Sequence, residues 1–96
     1  MAARIHKGIL QLPEGEIKSV VQYLWEISCE YRMDVPSITS YEDGACVQWG
    51  GDVICYLFIE DGCVVIEVDI AGNITHYKYP TERDKLESLF RNFIWD

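Results

Sequence analysis

The stretch VICYLFIEDGCVVIEVDI, residues 53–70, reads as two strands joined by a turn. Val64, Ile66, Val68 and Ile70 alternate with Cys63, Val65, Glu67 and Asp69, the period of a strand with one buried face. Asp61-Gly62 supplies the positive φ that a tight hairpin requires. A two-residue turn there sets Glu60 against Cys63, Phe58 against Val65, Tyr56 against Glu67 and Ile54 against Asp69. The remaining face then holds Val53, Cys55, Leu57, Ile59, Val64, Ile66, Val68 and Ile70, all apolar. A slip by one residue would exchange the two faces, so hydrophobicity specifies the register. Helices are expected on the all-apolar side.

The same pattern extends in both directions. SITSY (37–41), ACVQW (45–49) and NITHYKY (73–79) are further short strands, set off by Glu-Asp-Gly, Gly-Gly-Asp and Ala-Gly. Connections this short predict an antiparallel meander, because parallel pairing needs a crossover of about a dozen residues. A two-residue turn at Gly50-Gly51 pairs Trp49 with Asp52, Val47 with Ile54 and Cys46 with Cys55. That register puts Val47 on the second face with Ile54, Tyr56, Phe58, Val65, Glu67 and Asp69, and makes one disulfide geometrically feasible. The last hairpin has two solutions. A tight Ala71-Gly72 turn places His76 opposite Glu67, whereas a turn with a bulge at Gly72 sends Tyr77 and Tyr79 to that face.

Helices flank the strands. Pro13 followed by Glu14 and Glu16 reads as a helix start, with Gly15 a small weakness in the first turn. Ile17, Val20, Val21, Leu24, Ile27 and Tyr31 carry the helical period to about Arg32, and Pro36 restricts Val35 beyond it. After Pro80, Thr81 is an N-cap candidate with Asp84 three residues on, and Leu86, Leu89, Phe90 and Phe93 form a second apolar stripe. The expected architecture is α+β: a five-stranded antiparallel meander between an N-terminal and a C-terminal helix, one domain over residues 1–96. A chain of this length buries about 60–68% of its unfolded surface, enough for a single core. No apolar run reaches the roughly 18 residues of a membrane span. The start, MAARIHKGILQLPEG, lacks the apolar region and cleavage site of a signal peptide, so the expected location is the cytoplasm.

Net charge is −8, and all of it lies in the middle of the chain. From Met33 to Tyr77 there are eight acids (Asp34, Glu42, Asp43, Asp52, Glu60, Asp61, Glu67 and Asp69) and no Lys or Arg, while the flanks hold eight of each sign. Phosphate binding needs clustered Lys and Arg, so direct nucleic-acid binding is disfavoured. Cys29, Cys46, Cys55 and Cys63 form no CxxC, and neither His6 nor His76 is near a cysteine pair in sequence, which gives zinc no support. Glu42-Asp43-Gly44 and Glu60-Asp61-Gly62 have the spacing of hairpin turns rather than of a calcium loop. No nucleophile–base motif surrounds either histidine, and a non-enzymatic protein without cofactor is expected.

An acidic sheet with unclaimed apolar residues suits docking to a basic partner. Trp49, Tyr56 and Phe58 would serve as anchors, and Glu42, Asp43, Glu60, Asp61, Glu67 and Asp69 would steer and fix register. In size, acidity and lack of catalytic groups the chain resembles the small anti-CRISPR inhibitors encoded by phages and mobile elements. That resemblance implies a single α+β domain, in some cases a DNA mimic, that blocks the nucleic-acid groove of a CRISPR effector complex. An immunity protein or antitoxin against a basic nuclease toxin would use the same physics. A homodimeric accessory protein or chaperone, its second sheet face covered by another copy, belongs to a different class.

Overall fold

The computed structural model describes residues 6–95, with side chains as far as residue 92. Two helices, α1 (Lys7–Leu10) and α2 (Glu16–Glu30), precede five strands: β1 (Ser37–Tyr41), β2 (Gly44–Trp49), β3 (Val53–Glu60), β4 (Cys63–Ile70) and β5 (Asn73–Tyr79). Helix α3 (Arg83–Trp95) closes the chain. The strands form one antiparallel sheet in the order β1-β2-β3-β4-β5, the meander expected from the short connections.

The central hairpin has the register read from hydrophobicity, with Tyr56 opposite Glu67 and Ile54 opposite Asp69. Both turn residues have positive φ, 52° at Asp61 and 76° at Gly62, so the turn twists with the strands. The last hairpin adopts the tight alternative: Ala71 (φ 51°) and Gly72 (φ 91°) form the turn and Glu67 faces His76. A left-handed Ala is costly. It is held by its N–H donating to the Asp52 carbonyl at 3.0 Å and by the Gly72 N–H donating to the Asp69 carboxylate at 2.9 Å. Ala71→Gly removes the Cβ strain but frees the unfolded chain, so a net gain of about 0.5–1 kcal/mol is expected. A rise in the urea midpoint would register it.

The β2–β3 connection departs from expectation. It is a three-residue loop, Gly50 to Asp52, that pairs Trp49 with Val53, Val47 with Cys55 and Cys46 with Tyr56. One extra loop residue exchanges the faces of β2. Ala45, Val47 and Trp49 turn into the core, and Cys46 and Gln48 turn outward. Burying an indole and a valine outweighs the tighter turn. Cys46 and Cys55 therefore occupy opposite faces, and both are free thiols.

Helix boundaries also move. Helix α2 begins at Glu16, three residues after Pro13, and Gly15 is its N-cap at φ 150°, ψ −170°, a region essentially confined to glycine. What looked like a weak helical residue is the backbone device that starts the helix. At the other end Arg32 is left-handed (φ 56°), the Met33 N–H donates to the Ser28 carbonyl at 2.8 Å and the Arg32 N–H to Cys29 at 3.3 Å. This is a Schellman close, and it ends α2 at Glu30. Helix α3 starts at Arg83 rather than directly after Thr81. The Glu82 carboxylate takes the Lys78 N–H at 2.9 Å and so ties the helix to β5. Of the expected α3 stripe, Leu86 and Phe90 are buried and Leu89 is half-buried, while the Phe93 side chain lies outside the described residues.

The one-turn helix α1 had no sequence signal. His6 caps it: Nδ1 accepts the Gly8 N–H at 2.9 Å, so the proton is on Nε2, which donates to the Pro36 carbonyl at 2.7 Å. Its ring meets the edge of Trp25, centroids 5.2 Å apart. The imidazole pins the N-terminal arm to the α2–β1 connection.

Val20, Val21, Leu24 and Ile27 from α2, with Leu86 and Phe90 from α3, bury the inward face of β2, β3 and β4. Within that core the Trp49 Nε1–H donates to the Ser28 hydroxyl at 2.8 Å, and Ser28 donates to the Leu24 carbonyl at 2.8 Å. Both long helices lie on one side of the sheet. Among the described residues, nothing packs on the other.

Candidate protein interface

The register assigns the uncovered face. Tyr41, Thr39 and Ser37 come from β1, Gly44, Cys46 and Gln48 from β2, and Ile54, Tyr56, Phe58 and Glu60 from β3. Strand β4 adds Cys63, Val65, Glu67 and Asp69, and β5 adds Ile74, His76 and Lys78. Val65 is only 3% exposed and Cys46 7%, although no helix covers them. Large neighbours shield them: Phe58 and Lys78 flank Val65, and Thr39 and Tyr56 flank Cys46. Burial pushes the Cys46 thiol up. The Tyr56 phenol is also held above its ordinary range, first by Cys46, then by desolvation and by Tyr41, Asp69 and Glu67. Tyr41, Tyr56 and Ile74 remain open to solvent as large apolar groups.

A hollow of about 300 Å³ interrupts this face, lined by Tyr41, Asp43, Tyr56 and Phe58 among others. Gly44 makes it. The glycine pairs with Tyr41 on one side and Phe58 on the other and puts no side chain between them. A Cβ at this position would run into the Leu57 carbonyl oxygen.

The residues singled out from sequence divide into four groups. Tyr56 and Phe58 are central on the uncovered face. Glu42 and Asp43 in the β1–β2 turn, Glu60 at the end of β3 and Asp61 in the β3–β4 turn are exposed, at the same end of the meander. Among the described residues no cation lies within salt-bridge distance of these four. Glu67 and Asp69 are already engaged: Glu67 Oε1 is 3.0 Å from His76 Nε2, and Asp69 closes the last turn. Trp49 is a correction. It is 4% exposed in the core, turned inward by the β2–β3 loop, and belongs to no surface.

Three contributors escaped sequence reasoning. Tyr41 joins the face through its pairing with Gly44, a register that hydrophobic alternation in SITSY does not specify. Gly44 looked like turn punctuation only. Lys78 lies one position past the base-free segment, and the last hairpin brings it beside Val65, so the face carries one strong base.

Comparison with protein-family models, curated proteins and solved structures finds no match to this chain. Among the described residues no helix is long and apolar enough to cross a membrane.

Proposed function

We propose that the chain is a non-enzymatic inhibitor that docks on a basic, nucleic-acid-binding protein surface and blocks nucleic-acid access. The observation that carries this reading is the one-sided sheet, whose open face sets Tyr41, Tyr56 and Phe58 beside four carboxylates without a cation partner among the described residues. Aromatic side chains of this kind are the usual anchors of an interface once water is excluded around them. Glu42, Asp43, Glu60 and Asp61 would steer the encounter and meet the Lys and Arg side chains that otherwise hold phosphates. A CRISPR effector complex and a nuclease toxin both present such a surface. Inhibitor and immunity protein are therefore one mechanism with two targets.

Stoichiometric titration tests it. Added to its partner, the protein should displace nucleic acid at about one equivalent, with an effect that fades as salt rises. Glu42→Lys with Glu60→Lys should slow association by about tenfold or more at low salt and leave the urea midpoint unchanged, since both residues are exposed. Equal association rates for the double variant and the native chain would remove the charge-docking idea.

A second reading rests on Lys78 and His76, which share the open face with Glu67, Asp69, Ile54 and Ile74. Mixed charge around apolar groups also suits a second copy of the chain, as in a homodimeric accessory protein.

A further inference from the structure

We propose that the groove between the start of α2 and the β1–β2 and β3–β4 turns takes a basic peptide segment of a partner protein, one aliphatic side chain inserted between flanking Arg or Lys residues. This deepens the docking reading, on which it rests, by naming what the partner presents.

The groove encloses about 550 Å³, within the range of about 300–1,000 Å³ typical of ligand sites. Its apolar part comes from Pro13, Ile17, Tyr41 and Ile59. Ile59 belongs to the sheet face that the helices cover elsewhere, yet it is 48% exposed, and Tyr41 is 51% exposed. The late start of α2 explains this, because its first turn lies at Glu16 and leaves the end of β3 open. Gly15, Gly44 and Gly62 add bare backbone to the lining, which lets another chain approach closely.

The charge of the lining selects the occupant. Glu14, Glu16, Glu42 and Asp43 contribute to it, and among the described residues no Lys, Arg or His does. Lys18 reaches Glu14 at 2.8 Å, while Glu16, Glu42 and Asp43 have no salt bridge among the described residues. Glu60, the last residue of β3, and Asp61 in the turn lie in sequence between Ile59 and Gly62, two further lining residues. Among the described residues no three acidic, His or Cys side chains gather closely enough to hold a metal ion. Carboxylates spread around an apolar floor match separated guanidinium or ammonium groups on either side of an aliphatic anchor.

The test is an amide-shift titration of the full chain with a capped peptide Arg-Arg-Leu-Arg-Arg, against Arg-Arg-Gly-Arg-Arg. Saturable shifts at the amides of Gly15, Gly44 and Gly62 are expected with the leucine peptide, and binding about tenfold or more weaker with the glycine peptide. Glu16→Gln with Glu42→Gln should weaken the leucine peptide, and Tyr56→Ala should not. Equal affinity for the two peptides, shifts scattered over the acidic surface, or no saturable shift would each overturn the assignment. A silent groove together with partner capture that depends on Tyr56 overturns the groove alone. Peptide binding in the groove together with capture indifferent to Tyr56 supports the groove and overturns the sheet-face reading.

Discussion

Trp49→Ala is expected to destabilise the protein by about 3–5 kcal/mol, the range for removing a large aromatic side chain from a core. The indole is 4% exposed, its centroid is 5.2 Å from that of Phe90, and its N–H is the donor that satisfies the Ser28 hydroxyl. Truncation opens a cavity where α2, α3 and the inward face of β2 meet. It also leaves Ser28 with only its bond to the Leu24 carbonyl. Domains of this size are stable by only about 5–15 kcal/mol, so the urea midpoint should fall steeply. A surface anchor would behave differently: stability would stay within about 0.5 kcal/mol and only binding would suffer. That second outcome would mean that the β2 register is the two-residue one after all.

Gly44→Ala should be the other strongly destabilising change, by about 1–3 kcal/mol or more. The added Cβ meets the Leu57 carbonyl oxygen, which is backbone in the neighbouring strand and cannot rotate away. Relief requires β2 and β3 to part locally. Gly51→Ala is the matched control, since nothing lies within 4 Å of a Cβ there, and it should shift the urea midpoint by less than about 0.5 kcal/mol. The contrast separates a glycine needed for close approach from one that merely occupies a loop.

Residues 53–70 could be read in advance because every inward position is apolar, so a single register satisfies the core. Strand β2 lacked that protection. ACVQW has apolar residues of both parities, and Gly50-Gly51 fits a two- or a three-residue loop equally well. The deciding contact, Trp49 with Ser28, spans 21 positions and leaves no local trace. Helix α1 was invisible for a similar reason, since it is a single turn capped by a histidine tied to Pro36, 30 positions away. Of the candidate interface, the turn carboxylates and Tyr56 followed from the strand period. The hollow at Gly44 and the arrival of Lys78 depend on registers at the two edges of the sheet, where one face is open and hydrophobicity constrains pairing least.

Affinity capture with the native chain and with Tyr56→Asp tests the central claim most directly. An Asp at this position faces Glu67 across the hairpin, so the urea midpoint should fall by about 1 kcal/mol while the fold is kept. The account predicts that the native chain retains a nucleic-acid-binding protein at low salt, releases it at high salt, and loses it in Tyr56→Asp. Recovery of the same protein by both baits, or of nothing but further copies of the chain, would contradict it.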